Sequence, residues 1–195
     1  MNGKVALGLA LGKTAEYVGL AVLEVVKNRP LPYGNGLTEH HLIYLQSLPP
    51  GTKYELIITQ LRRIIAACDV IYIVVDQTAV GAPIVRLISE ELNRNVYPVI
   101  IGGQHSERQS TGVDYVPKQD LISEVNVALI KGRIRISKGL KEAGNLSKGL
   151  VNYENLTTSP ALSDPWREHP SDHLIFAVAL ACWKLQHPSY FYYDK

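Results

Sequence analysis

The order of strand and helix patterns predicts an α/β protein: a mixed β-sheet with helices on both faces. Three stretches rich in β-forming residues come first, joined by polar connections, and we expect them to pair antiparallel. Helical and strand patterns alternate after them, which is typical of parallel strands joined by helices. The most hydrophobic strand covers residues 70–75, where five of the six residues are Val or Ile. Such a run indicates a strand that is buried on both faces.

The composition is that of a folded globular chain. Of the 195 residues, 46% are hydrophobic and 19% are charged, which provides a core and excludes a disordered chain. We therefore expect residues 1–195 to form a single domain. A net charge of +2 is too small to indicate nucleic-acid binding by itself. Without a signal-peptide pattern or an apolar run near the roughly 20 residues of a bilayer span, we expect a cytoplasmic protein with no membrane partner.

The first three strands are predicted at residues 5–11, 18–26 and 40–48. A short polar turn joins the first two into a hairpin, and a loop rich in Pro and Gly at 28–38 precedes the third. Gly8 and Gly12, followed by Lys13, resemble a phosphate-binding loop. That motif needs four residues between the glycines and a helix after them. Here there are three residues and a strand, so we exclude it.

The remaining elements alternate. Strands are predicted at 70–75, 96–101 and 132–136, and helices at 54–68, 82–93, 117–130, weakly at 140–150, and at 174–185 with a start at Ser171. A polar segment at 104–112 is interpreted as a loop near the strand ends. Cys68 and Cys182 lie in apolar surroundings and are interpreted as buried free thiols. The aromatic residues 190–193 dock on the body or on a second copy, and the sequence does not decide which.

Asp76 ends the most hydrophobic strand and is the first candidate site residue. A carboxylate at the C-terminal end of a strand lies where open α/β sheets place their ligands. An acid shortly before a helix can also cap that helix. Asp172, beside Ser171 at the start of the last helix, has the same two interpretations. From the residues alone, a site and a helix cap remain open for both carboxylates.

Four segments together resemble the C-terminal nuclease domain of phage terminase large subunits, a ribonuclease H-like fold. They occur in the order expected for that family and span nearly the whole chain. They are the hairpin at 7–24, VDQTAVGAP at 75–83, VPKQDL at 116–121 with Gly132 and Arg133 after it, and SDHL at 171–174 leading into AVALA at 177–181. The resemblance implies a protein of phage or prophage origin that has the nuclease domain without the packaging ATPase.

The resemblance implies a divalent-metal-dependent DNA endonuclease, a hydrolase that uses two Mg²⁺ or Mn²⁺ ions about 3.5–4 Å apart. Asp76 matches the family's second acidic position and Asp172 its third, so both are candidate catalytic residues. With His173 they are also the candidate metal ligands. The implied partners are double-stranded DNA and other terminase or phage-assembly proteins. Lys118 and Arg133 are candidate DNA-phosphate contacts, although single charges of this kind are more often solvated.

Ala10 occupies the family's first acidic position, and an alanine cannot bind a metal. His173 also departs from the family, because it replaces an acid and is as well explained as a first-turn surface residue. Natural decay, a deliberate substitution or a shifted ligand would each explain Ala10. Glu16, in the turn, and Glu24, far along the second strand, are not expected to replace the missing acid. The enzymatic state is therefore open, and the alternative is a non-catalytic DNA-binding or protein-interaction scaffold.

Overall fold

The computed structural model describes residues 3–12, 16–27, 38–103, 105–109, 111–158 and 172–188. The strands are β1 (Lys4–Ala10), β2 (Val18–Lys27), β3 (Thr38–Leu48), β4 (Asp69–Asp76), β5 (Tyr97–Ile101), β6 (Glu107–Arg108), β7 (Asp114–Val116) and β8 (Ile134–Ile136). The helices are α1 (Tyr54–Ala67), α2 (Gly81–Leu92), α3 (Lys118–Ile130), α4 (Ala143–Thr158) and α5 (Asp172–Gln186).

The strands form one mixed sheet in the order β6-β7-β5-β4-β1-β2-β3-β8. The first three strands pair antiparallel. The pairs β1–β4, β4–β5, β5–β7 and β3–β8 are parallel. The two-residue β6 adds a further antiparallel pair, with β7. This confirms the predicted fold class, an antiparallel meander extended by parallel strands.

Helices cover both faces of the sheet and enclose two hydrophobic clusters. The cluster on one face joins Leu7, Leu9 and Val75 of the central strands to apolar residues of α1 and α2. The cluster on the other face joins Ala6, Ala10 and Val74 to α3, α4 and α5. Because successive side chains of a strand alternate between faces, the central strands are apolar on both sides. That explains the continuous hydrophobic run at 70–75.

Two glycines allow α5 to lie directly on the hairpin of β1 and β2. A Cβ atom on Gly8 would lie 1.9 Å from the Ala177 carbonyl oxygen, and one on Gly19 would lie 1.9 Å from the His173 carbonyl oxygen. Both contacts are with helix backbone, which cannot rotate away as a side chain can. The missing side chains therefore set where the first turns of α5 rest on the sheet.

Element boundaries follow the sequence prediction closely, apart from two additional strands and differences at α4, β3 and β8. The strands β6 and β7 were not predicted, because two and three residues are too few to show an alternating pattern. The helix α4 extends to Thr158, beyond the weak pattern that ended near residue 150. β3 begins at Thr38, two residues earlier than predicted, and β8 begins at Ile134, two residues later than predicted. Residues 28–37, Ser171 and the aromatic residues 190–193 lie outside the described residues.

Two smaller expectations concern the cysteines and membrane insertion. Cys68 is half-buried, Cys182 is buried, and both are free thiols. Burial raises the pKa of the Cys182 thiol to about 11, so this thiol stays protonated and unreactive near neutral pH. Among the described helices, none has the length and apolar character needed to cross a bilayer.

Candidate functional site

The carboxyl ends of β1 and β4 place Asp76 beside Ala10. These strands are parallel, with Leu9 level with Val75, so the next residue of each strand comes side by side. Ala10 shares a hydrophobic cluster with Val74, and the alternation of side chains puts Asp76 on the same face as Val74. Both residues therefore face α5.

The first turn of α5 lies over this edge of the sheet. Ala10 pairs with Gly19 on the neighbouring β2, and the His173 carbonyl rests against Gly19. Asp172 precedes His173 and begins the helix. The structure thus brings Asp76, Ala10 and the start of α5 to one edge, the arrangement that the resemblance implies. Ala10, which lies beside Asp76 on the neighbouring strand, carries no carboxylate.

Asp76 is not the cap of the helix that follows it. The helix α2 begins at Gly81, and its N-cap residue is Val80, which makes no side-chain cap. Asp76 Oδ1 instead accepts a hydrogen bond of 2.8 Å from the Thr78 backbone N–H. The Thr78 hydroxyl accepts one of 2.8 Å from the Ile101 N–H, which ties this turn to β5. The helix-cap interpretation of Asp76 is wrong, and the turn holds its carboxylate at the sheet edge.

Burial dominates the ionisation of Asp76. The residue is 9% exposed, and burial raises the pKa of its carboxyl to about 6, against the opposing effect of the hydrogen bonds from Thr78. The negative charge of Glu16 raises this pKa further. Ionised Asp76 is therefore costly unless a cation lies near it.

Asp172 is paired with Lys118. The Lys118 ammonium lies 3.3 Å from Asp172 Oδ2, with side chains only 20% and 13% exposed. The same ammonium lies 5.2 Å from the centre of the Phe176 ring, one turn further along α5. Asp172 Oδ1 is buried and has no hydrogen-bond partner among the described residues. Lys118 is therefore not a solvated surface charge.

His173 is half-buried and engaged in two contacts, so it is not a free surface residue. Its Nε2 lies 2.8 Å from the Ser47 hydroxyl, and its ring stacks on Tyr17 with 5.2 Å between ring centres. Burial lowers the pKa of the imidazole, while the charges of Glu142 and Asp172 raise it. To bind a metal, His173 would use Nδ1 or release Ser47.

Arg133 lies away from this edge, at the opposite end of the strands, and its contact with DNA phosphate stays a prediction. Its carbonyl accepts a hydrogen bond from the His40 N–H at the start of β3, and His40 is level with Val25 near the end of β2. The start of β1 lies at that end of the sheet. Because a strand rises about 3.3 Å per residue, the start of β1 is about 20 Å from Ala10 at its other end. Glu24 pairs with Val5 at the same remote end, as expected.

Glu16 is closer to the site than its place in a turn suggested. It raises the pKa of Asp76, and its side chain occupies the space that a Cβ on Gly12 would need. Ser47 and Tyr17 also border the site through His173. The sequence carried a signal for Glu16, which is a carboxylate six residues after Ala10 in the predicted hairpin turn. It carried no signal for Ser47, which belongs to a different strand.

The acidic residues do not fit a pair of divalent ions. In the described ranges, no three His, Cys, Asp or Glu side chains come together as a metal-binding group, and Ala10 supplies no oxygen. The buried, unpartnered Oδ1 of Asp172 does fit one hard cation. Magnesium is commonly held by one or two carboxylates, with water and substrate phosphate oxygens completing its shell. Asp76 and Asp172 would supply the carboxylates.

Solved structures with the same architecture are nuclease domains of viral terminases. The magnesium-bound large terminase nuclease from thermophilic phage G20c is 17% identical, with a TM-score of 0.59 over 93% of this chain and 82% of that one. The manganese-soaked human cytomegalovirus terminase nuclease domain is 17% identical, with a TM-score of 0.53 over 97% and 86%. No family model and no curated protein matches the chain. This chain thus has the fold of terminase large-subunit nuclease domains.

Proposed function

We propose that this chain is a terminase-nuclease-type domain of phage or prophage origin that acts on double-stranded DNA. Its carboxylate edge is of the type that supports metal-dependent cleavage, and the absence of a carboxylate at Ala10 holds cleavage at a residual level. Asp76 and Asp172 are the catalytic carboxylates of this proposal. Other terminase or phage-assembly proteins are the proposed protein partners.

A single observation supports this proposal most directly. Asp76 at the end of β4 lies beside Ala10, and the first turn of α5, which begins with Asp172, rests on the neighbouring Gly19 at the same edge of the sheet. The manganese-soaked and magnesium-bound states of two structural neighbours are consistent with a divalent cation at this place. Asp76 and Asp172 would hold that ion, which would polarise a phosphodiester and acidify a bound water.

Introducing a carboxylate at position 10 tests the proposal. We expect Ala10→Asp to raise the rate of plasmid DNA cleavage in Mn²⁺ by about 100-fold, the scale on which one charged group at a reacting centre acts. Ala10→Asn is the matched control, because it has nearly the same volume without the charge. The rates are measured on supercoiled plasmid with the full chain of each variant.

The gain must also depend on the neighbouring carboxylate. Adding Asp76→Asn to the Ala10→Asp variant should return cleavage to the level of the unchanged chain. Thermal unfolding should show Ala10→Asp less stable than Ala10→Asn in chelator, because the new charge lies beside Asp76, and stabilised by added Mn²⁺. If Ala10→Asp cleaves DNA no faster than Ala10→Asn, the proposed function is wrong.

A second candidate is a scaffold that binds DNA or protein without cleaving. The ion pair between Lys118 and Asp172 favours it, because an ammonium already neutralises one of the two remaining carboxylates. If the chain is a scaffold, we expect Ala10→Asp not to cleave DNA and to bind its partner as the unchanged chain does. Binding of duplex DNA without cleavage, in both the unchanged chain and Ala10→Asp, would favour this candidate.

A further inference from the structure

We infer that Lys118 is an internal cation that competes with a divalent metal ion for Asp172. The inference deepens the proposed function and rests on it only in taking Asp172 as a metal ligand. In the structure, the ammonium holds the carboxylate in an ion pair between α3 and α5. A metal ion at Asp172 must displace that ammonium or share the carboxylate with it.

The ion pair is partly withdrawn from solvent. The Lys118 Nζ to Asp172 Oδ2 distance is 3.3 Å, and most of each side chain is covered. Charges in such a place are screened less by water and salt than an exposed pair, so their attraction is stronger. The Phe176 ring lies 5.2 Å from the ammonium and adds a cation–π contact. Lys118 is thus held at Asp172 from two sides.

The position of Lys118 is not explained by helix stability. It is the first residue of α3, where the helix dipole disfavours a positive charge. Asp172, in the first turn of α5, is at a favourable place for a negative charge. The lysine therefore lies against the dipole of its own helix and is compensated by the carboxylate of another. This arrangement joins the two helix starts across the proposed site.

The two oxygens of the Asp172 carboxylate have different surroundings. Oδ2 contacts the ammonium, whereas Oδ1 is buried without a hydrogen-bond partner in the described part of the chain. A cation approaching Oδ1 would lie close to the ammonium and be repelled by it. Removing the positive charge while keeping the length of the side chain should therefore strengthen metal binding at Asp172.

The direct test is a titration of the full chain with Mn²⁺ by calorimetry, comparing Lys118→Met with the unchanged chain. Methionine keeps a long apolar side chain against Phe176 and has no charge. We expect Lys118→Met to bind Mn²⁺ about tenfold more tightly. The metal ion would no longer compete with the ammonium for Asp172, and losing one charged hydrogen bond changes an affinity by about this factor. Lys131→Met is the matched control, since Lys131 is exposed at the opposite end of α3, and it should not change the affinity.

Two further variants keep the test decisive. Lys118→Arg retains the charge and should bind Mn²⁺ no more tightly than the unchanged chain, whereas Lys118→Gln should repeat the gain if Lys118→Met folds poorly. Adding Asp172→Asn to Lys118→Met should abolish the gain, which places it at this carboxylate. Thermal unfolding of Lys118→Met should show a loss of stability in chelator that Mn²⁺ restores.

The inference is overturned if neither Lys118→Met nor Lys118→Gln binds Mn²⁺ more tightly than Lys131→Met, including the case in which none of them binds measurably. It is also overturned if the gain survives Asp172→Asn. A gain in Mn²⁺ affinity beside an inactive Ala10→Asp variant would support the competition at Asp172 and reject cleavage as the function. The two failures are therefore distinguishable.

Discussion

Asp76 combines burial with a fixed orientation, which is unusual for a carboxylate outside a site. Thr78 and the strand β5 hold it in place, and burial raises its pKa to about 6. Folding buries the Asp76 carboxylate in a place where its negative charge is unfavourable. An uncharged side chain there would lower the stability of the folded chain less. Such a cost is typical of functional residues.

The pKa of Asp76 makes folding stability depend on pH in a defined direction. The folded pKa of about 6 lies above the unfolded value of about 4, so the folded state binds the proton more tightly. Its contribution to stability is therefore greatest below about pH 4 and is lost as the pH rises through about 6. Asp76→Asn removes this penalty. Its advantage over the unchanged chain should grow from near zero at pH 4 to as much as about 3 kcal/mol above pH 7.

Denaturant unfolding at a series of pH values measures this difference. Asp69→Asn is the control, because Asp69 is exposed at the other end of β4. Its stability relative to the unchanged chain should vary little over the same range. An advantage of Asp76→Asn that does not change between pH 4 and pH 7 would contradict the assigned burial of Asp76.

At the scale of elements, α5 positions the site through its contact with the hairpin. It is buried along most of its length, and it includes Lys184, whose ammonium lies 4.8 Å from the centre of the Tyr72 ring and 4.7 Å from that of Tyr97. The sequence predicted an apolar face and did not predict the buried lysine. Because the α5 backbone contacts Gly8 and Gly19, adding a Cβ atom at either position would increase the distance between α5 and the sheet.

Gly19→Ala should displace the start of α5 and destabilise the chain. The new Cβ would meet the His173 carbonyl, and overpacking of this kind costs about 1–3 kcal/mol. Gly102→Ala is the matched control, since a Cβ there meets nothing within 4 Å. The free energy of unfolding in urea measures both. Equal stability of the two variants would show that α5 does not rest on Gly19.

At the scale of the molecule, the sheet collects residues that are far apart in the chain. The order β4-β1-β2-β3 lines up Asp76, Ala10, Gly19 and Ser47 along one edge, and α5 crosses above them. Arg133, at the opposite end of the strands, does not join this edge. The proposed DNA-binding surface is therefore the carboxyl edge with Lys118, rather than a continuous basic face.

DNA binding should be weak and sensitive to salt. With a net charge of +2 and few phosphate contacts, we expect affinity for a duplex to fall about tenfold between about 50 and 200 mM salt, as for roughly two contacts. Fluorescence anisotropy of a labelled duplex measures this slope. Lys118→Met should reduce the slope, while Arg133→Met should leave it unchanged. An absence of binding at low salt would favour a protein-interaction scaffold.

The prediction of a single domain over residues 1–195 stays a prediction. The described sheet uses strands from Lys4 to Ile136 and is covered by α5 near the end of the chain. Limited proteolysis of the full chain would show whether one resistant core contains both.

The sequence by itself determined most of the elements, because they depend on local information, whereas β6 and β7 were too short to show a pattern. The departure at Ala10 was visible only through the resemblance to terminase nuclease domains and stays a prediction. A strand or helix pattern is visible in neighbouring residues, and Asp76 at a strand end needs no partner to be noticed. Tertiary structure alone decided the contacts of the site. Lys118 meets Asp172 across 54 residues and Ser47 meets His173 across 126, because strand order and helix packing bring them together. The hydrophobic pattern of neighbouring residues carries no information on contacts between residues so far apart in the chain. The same packing places Arg133 away from the edge.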